Sequence, residues 1–167
     1  VFIEGRVTPE KAFETIQRYR VSVFNSNPTG FTLNVPDAEK RYDVSCLRDL
    51  QCGSAPMLPA LFHQWKARFG TELNNGMGST ETFGAYFGNR NCQTKPAALG
   101  NPLPGWEARV IDDQGRDCTR GALGRLALRG PGGIMYWRNP EKQKEAVVDG
   151  WSLTGDLVYQ DEEACYW

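Results

Sequence analysis

"LPALFHQWKARFGTELNNGMGSTE", residues 58 to 81, holds a helix signal, a short strand signal and a glycine-rich turn, in that order. Leu58, Phe62, Trp65 and Phe69 recur at the spacing of one helix face, and Gly70 supplies the stop. His63 lies off that stripe beside Gln64 and reads as a solvated surface side chain rather than a catalytic base. "TELNN" reads as a strand that runs out into Gly76-Met77-Gly78-Ser79-Thr80-Glu81. A helix, a strand and a strand-end turn make the repeating unit of an α/β layer, and open α/β sheets bind ligands at strand carboxyl ends.

Upstream the same alternation recurs. "TPEKAFETIQRYR" predicts a helix with Thr8 as N-cap, Pro9 in the first turn and Glu10 against the helix dipole. Its Ala12, Phe13, Ile16 and Tyr19 should face a core. "VSVF", residues 21 to 24, predicts a strand, and Asn27-Pro28-Thr29-Gly30 a turn. Another strand, Leu47 to Cys52, ends in a second glycine turn, Gly53-Ser54-Ala55-Pro56. The expectation is an α/β part over residues 1–101 with a partial, mostly parallel sheet.

After Pro102 the texture turns mostly β. "WEARVIDDQGRDC" has a hairpin signature with Asp113-Gln114-Gly115 at the tip. Its acidic cluster lacks the distal Glu of a calcium loop and reads as a plain turn. "GRLALRG" predicts a strand, "NPEKQKEAVV" a short capped helix, and "WSLTGDLVYQD" and "CYW" two more strands. Residues 102–167 are therefore expected to form a small β-rich subdomain, a distorted barrel.

Composition narrows the function classes. With 167 residues, 40% hydrophobic and 23% charged, the chain has the profile of a globular domain that can bury a core. Nineteen basic against 20 acidic residues leave a net charge of −1, so no basic field is available for nucleic acid or anionic lipid. No apolar run approaches the roughly 18 residues of a membrane span. The five cysteines, at 46, 52, 92, 118 and 165, form no CxxC pair, and there is one histidine. Buried thiols in a reducing cytoplasm are expected, rather than a zinc site or a disulfide framework. The apolar start "VFI" and the strand-like end "EEACYW" suggest a piece of a larger protein.

The glycine-rich turn fails the common phosphate and nucleophile motifs. Glu81 occupies the third glycine position of GxGxxG, and no GxxxxGK[ST] occurs. GxSxG fails because Met77 precedes Gly78-Ser79, and His63 is the sole candidate base. Beside the plain-turn reading stands a chemical one. A Thr80 hydroxyl can donate to a phosphate oxygen, and Glu81 can hold Mg²⁺, which takes only one or two protein carboxylates. Two glycine turns on nearby strands could wall a slot for a planar ring. In "DGWSLTGDL", Asp156 is either a strand-end turn residue or an acceptor for both hydroxyls of a ribose.

The order of these blocks resembles the acyl- and aryl-CoA synthetases of the adenylate-forming superfamily, most closely the benzoate-CoA ligase group. "NGMGSTE" is similar to the family's Gly-x-Gly-x-Thr-Glu signature, and "LGNPLPGWEARVIDDQGR" to the entry of its β subdomain. "RGPGGIMYWRNPEK" and "VDGWSLTGDL" resemble its two downstream blocks. The resemblance implies that Gly53, Ser54, Ala55 and Pro56 flank an adenine, with Asn75, Gly76, Met77 and Gly78 opposite. It further implies Thr80 at the α-phosphate, Glu81 on Mg²⁺ and Asp156 on the ribose, with Thr80 and Glu81 the catalytic pair. Gly76, Met77, Thr82, Phe83 and Gly84 would line the pocket of a hydrophobic carboxylic acid, aromatic or medium-chain.

The implied reaction joins a carboxylate to ATP as an acyl-adenylate, after which the thiol of coenzyme A displaces AMP. The implied partners are that acid, ATP and coenzyme A, with no nucleic acid. The family's phosphate loop would lie upstream, and its hinge and small lysine-bearing domain downstream. This stretch would thus be an inactive fragment of the large N-terminal domain. Three positions depart from the pattern: Met77 where many members carry an aromatic ring, Ala122 for a Glu, and Ala164 for a turn glycine. The competing expectation is a non-catalytic, truncated or degenerate copy that serves as an interaction module.

Overall fold

Helix α1 (Pro9–Tyr19) starts where its cap predicts: the Lys11 N–H donates to Thr8 Oγ1 at 3.3 Å, and Pro9 opens the first turn. In the computed structural model, which describes residues 5–31, 35–92 and 95–167, α1 buries Ala12, Phe13 and Ile16. The apolar start at residues 1–3 lies outside the described residues. Tyr19, expected in the core, is 53% exposed in the last turn, with the Arg18 guanidinium over its ring.

Strand β1 (Val23–Ser26) begins two residues later than the pattern predicts, and the Asn27–Gly30 turn is one turn of helix, α2 (Pro28–Phe31). Asn27 Oδ1 accepts the Gly30 N–H at 2.7 Å. After the short α3 (Ala38–Arg41), β2 (Asp49–Cys52) pairs parallel to β1, from Val23↔Asp49 to Ser26↔Cys52. Helix α4 (Pro59–Phe69) ends at Gly70, whose φ of 68° no bulky residue adopts cheaply. Phe62 and Trp65 are buried as the stripe predicts, whereas Leu58 is 68% exposed. Leu58 is the N-cap, with extended backbone, so the helix begins after it and Leu61 takes the core position. Strand β3 (Asn74–Ser79) opens with Asn74 and Asn75 parallel to Gln51 and Cys52. Phe13, Phe31, Leu50, Met57, Trp65 and Leu73 belong to the core of this first unit, Val1–Asn75.

From Gly76 onward β3 changes partner and pairs antiparallel with β4 (Gly84–Gly88), which pairs antiparallel with β5 (Asn101–Pro102). The mostly parallel sheet expected through residue 101 therefore stops at β3. The cause is loop length: four residues, 80–83, separate β3 from β4, and a parallel crossover needs a dozen or more.

In the second unit, Gly76–Trp167, strands β6 (Glu107–Ile111), β7 (Gly124–Arg129), β8 (Val147–Val148) and β9 (Trp151–Val158) form an antiparallel sheet in the order β6-β7-β9-β8, curled as half a barrel. Helix α5 (Pro140–Ala146) lies between β7 and β8 in sequence, its Lys142 N–H held by Asn139 Oδ1 at 3.0 Å. At the β6 turn the Asp112 carboxylate accepts the N–H groups of Gln114 and Arg116, each at 2.9 Å. "CYW" forms no strand: Tyr166 makes single bridges to Gly100 and Gln160. Tyr86 and Phe87 of β4 share one core with Val110, Leu126, Leu128, Val158 and Tyr166. The compact units accordingly divide at Asn75/Gly76, while the change of texture read at residue 101 falls inside the second.

The cysteines depart from expectation. Cys92, closing a 3₁₀ turn at Arg90–Cys92, is joined by a disulfide to Cys165, with Cys46, Cys52 and Cys118 free. The pairing is made by tertiary structure: Tyr166 bridges to Gly100, which brings the residue beside Cys165 back to the segment after Cys92. A separation of 73 residues leaves no sequence signature of it. Among the described residues no helix is long and apolar enough to cross a membrane.

Candidate functional site

The first group of candidates sits at a strand end of the first unit. The Gly53 N–H donates to the Ser26 carbonyl, the last residue of β1, at 3.1 Å. Ser54 then turns with φ 66°, leaving Ser54, Ala55 and Pro56 exposed at the carboxyl edge of β2. Asn75, 2% exposed, is the register partner of Cys52 and so lies beside the start of that turn. Both strand-end expectations in this unit, residues 53–56 and Asn75, are thus brought to one edge. A separate cavity of about 490 Å³ beside α1, lined by Ala12, Ile16, Val23 and Ser26 among others, contains none of the predicted residues.

The β3–β4 hairpin carries the second group. Its register runs Gly76↔Gly88 and Met77↔Phe87, then Gly78↔Ala85 and Ser79↔Gly84, so Tyr86 is an extra residue on β4. This bulge buries two consecutive side chains, Tyr86 and Phe87, which a regular strand would send to opposite faces. It also brings the strands close: a Cβ at Gly78 would lie 2.4 Å from the Gly84 carbonyl oxygen. The glycine therefore serves the hairpin's own packing, whatever it meets on its other side. Met77 is half-buried against the core of the second unit.

Beyond Ser79 the loop 80–83 closes with the Phe83 N–H donating to the Thr80 carbonyl at 3.1 Å. Thr80 and Glu81 stand exposed at its tip. Thr82, expected in a substrate pocket, turns its hydroxyl back into the loop, onto Ser79 and Gly84. Phe83 is 96% exposed with a left-handed φ of 57°.

Asp156 is delivered by a second bulge. Arg125 pairs with Leu157 and Ala127 with Leu153, so Thr154, Gly155 and Asp156 face Leu126 alone. Thr154 Oγ1 donates to the Leu126 carbonyl at 3.5 Å and accepts the Asp156 N–H at 3.2 Å. Gly155, with φ 86°, makes the excursion possible. The bulge re-aims the aspartate, and Thr154 holds it there.

The buried Tyr86 links these two features. Burial pushes its phenol up to about 12, and the carboxylates of Asp156 and then Glu81 push in the same direction. Two acidic side chains, 75 positions apart in the chain, thus bear on one phenol. Among the described residues neither enters an ion pair. Each of these carboxylates is open to a hydroxyl donor or a cation. Periodicity cannot show a bulge, so neither the burial of Tyr86 nor the clamp at Thr154 is visible in the sequence; the Thr154-Gly155 dipeptide before an acid is the available signal.

Residues 1–137 match the family described as AMP-binding enzyme. Benzoate–CoA ligase of Thauera aromatica is 33% identical over 99% of this chain and 32% of its own length. Acetyl-coenzyme A synthetase of Bacillus subtilis is 31% identical over 100% and 31%. Among solved structures, the anthranilate CoA ligase AuaEII in complex with anthranoyl-AMP superposes with a TM-score of 0.87 at 30% identity, over 95% of this chain and 31% of that one. The chain spans about a third of the length of the relatives it matches.

Proposed function

The chain belongs to the AMP-binding enzyme family, and from that premise we propose that it is part of an ATP-dependent carboxylate–CoA ligase that works through an acyl-adenylate. The observation that carries the reading is that Glu81 and Asp156 are both near enough to act electrostatically on the buried Tyr86, with Thr80 exposed beside Glu81.

In this reading the Thr80 hydroxyl donates to a non-bridging oxygen of the α-phosphate. Glu81 fits Mg²⁺: it is an exposed carboxylate at a loop tip and, among the described residues, enters no ion pair. The ion would withdraw charge from the phosphate oxygens when bound. Asp156, aimed by its bulge, accepts the ribose hydroxyls. Gly53, Ser54, Ala55 and Pro56 flank the adenine, and Asn75, Gly76, Met77 and Gly78 contribute its other side. The carboxylate of the acid attacks the α-phosphorus and pyrophosphate leaves. The coenzyme A thiol then attacks the acyl carbon, and AMP departs with the bonding electron pair. The chain's contribution is positioning and charge stabilisation.

The acid is hydrophobic, aromatic or medium-chain. Support comes from the apolar Met77 and Phe83 and the absent side chain at Gly84, which offer no charge to a polar substrate tail. The test is carboxylate-dependent exchange of pyrophosphate into ATP by the full-length protein. Acetate, benzoate, larger aryl acids and medium-chain fatty acids are compared by kcat/KM. Aryl and medium-chain acids are expected to lead, with loose discrimination because one methylene in an apolar pocket is worth only about 1–3 kcal/mol. A strong preference for acetate or a charged amino acid overturns the substrate class. No exchange with any acid favours the non-catalytic copy. The 167-residue chain alone is expected to give none.

A further inference from the structure

We propose that Thr82 is a positioning residue that sets the placement of Thr80 and Glu81, and not a wall of the substrate pocket. The inference deepens the ligase reading and rests on it.

The loop between β3 and β4 has four residues, and two of them are the exposed Thr80 and Glu81. Exposed side chains at a loop tip have no packing to orient them, so their direction is set by the backbone beneath. That backbone is tied by one side chain. Thr82 Oγ1 lies 2.8 Å from the Gly84 carbonyl oxygen and 3.0 Å from that of Ser79, either of which can take its single proton. It accepts the Ser79 N–H at 3.2 Å, and the Ser79 hydroxyl is 3.3 Å away. Ser79 and Gly84 are the closing pair of the hairpin. One hydroxyl therefore spans both ends of the loop that presents Thr80 and Glu81.

A second contact holds the same residue from outside. Gly132 comes so close that a Cβ there would lie 2.9 Å from the Thr82 Cα. Thr82 thus has Gly132 packed close against its backbone and its hydroxyl bonded to both strand ends. Its hydroxyl cannot swing outward toward a substrate without giving up these bonds to Ser79 and Gly84. The side chains held in the open are Thr80, Glu81 and Phe83.

The experiment compares Thr82→Val, which keeps the shape and removes the hydroxyl, with Thr82→Ser, which keeps the hydroxyl, in the full-length protein. Three quantities are read: the kcat and KM of carboxylate-dependent pyrophosphate exchange, the melting temperature, and amide hydrogen exchange across residues 79–84. Thr82→Val is expected to lower kcat by up to about a hundredfold, as misplacement of catalytic groups does. KM for the acid should change less than threefold, and the loop amides should exchange faster. Thr82→Ser should restore most of the rate and the protection.

A valine variant with normal kcat overturns the proposal, as does a loss that serine fails to rescue. A change in acid preference with unchanged loop protection returns Thr82 to the pocket wall. If the valine variant does not fold, Thr82→Ala is read in its place by the same criteria. If the parent protein shows no exchange with any acid, the ligase reading fails first. Loop protection in the valine and serine variants still decides whether the clamp exists.

Discussion

Cys92 and Cys165 are joined across 73 residues of chain, with Cα atoms 6.3 Å apart and both sulfurs buried. Closing a loop of that length removes entropy from the unfolded chain, worth roughly 4 kcal/mol on the loop-entropy scale. Reduction, or Cys92→Ser, is therefore expected to lower the unfolding midpoint and to expose residues 159–167 to hydrogen exchange first. Peptide mapping of the unreduced protein should find the two cysteines in one crosslinked pair. Two free thiols in that map would remove the staple from the account.

Beside the disulfide, the Asp161 carboxylate accepts from Lys95 Nζ at 2.7 Å and from the Trp167 indole N–H at 2.8 Å, while its other oxygen accepts the Cys165 and Glu163 N–H groups. The Lys95 hydrogen bond first, then the Trp167 donor, holds its pKa well below the ordinary 3.8. A group depressed in the folded state stabilises above its unfolded value and loses that contribution as pH falls through the folded one. Protection of residues 160–167 should then be flat above about pH 5 and decline below about pH 4. Asp161→Asn should start lower and lose this acid limb. An unchanged acid limb in Asp161→Asn would assign it to another carboxylate.

Ala164 has φ 63° in the turn that follows Asp161. A left-handed conformation costs a residue with a Cβ about 1–2 kcal/mol, which glycine avoids at the expense of a more flexible unfolded chain. Ala164→Gly is expected to stabilise the protein by about 1 kcal/mol, measured by denaturant midpoint. The opposite exchange at Gly78 meets backbone: its Cβ would fall within 2.7 Å of Ala85 Cα. Gly78→Ala should destabilise by about 1–3 kcal/mol through forced separation of β3 and β4. Equal and small effects at both positions would contradict this account of the Ala164 turn and the β3–β4 packing.

Local signals were read well where a short-range interaction sets the structure. Thr8 and Pro9 at the start of α1, Gly70 at the end of α4, Asn139 before α5 and the Asp113-Gln114-Gly115 turn all stand where side-chain chemistry with near neighbours puts them. Misreadings gather where a distant segment decides. The antiparallel turn at β4 follows from a loop too short to cross over, yet Gly-x-Gly-Ser-Thr-Glu looks the same whether a helix or a returning strand comes next. Burial of Tyr86 beside Phe87 needs a bulge, and Cys92 meets Cys165 where distant segments join, through the Gly100–Tyr166 bridge and the Lys95–Asp161 pair. The candidate site was legible as three separate motifs. That Glu81 and Asp156 both act on the buried Tyr86 phenol is visible only in the fold.

That shared position also separates the two acids functionally, because they are presented differently. Glu81 sits at an exposed loop tip where a cation can be reached, whereas Asp156 is half-buried, its backbone held by Thr154. In the full-length protein Glu81→Gln keeps the shape and removes the charge. A metal ligand on the phosphates acts most where charge develops in the transition state, so kcat for adenylation should fall about 10²–10³-fold, with partial recovery at raised Mg²⁺. Asp156→Ala removes a ribose contact made alike in ground and transition state. KM for ATP should therefore rise about tenfold while kcat moves much less. Thr154→Val, which frees the Asp156 N–H without touching the carboxylate, should reproduce a milder version of the second effect and none of the first. If Glu81→Gln is kinetically silent, or if it raises KM for ATP and leaves kcat alone, the metal role belongs to a residue other than Glu81.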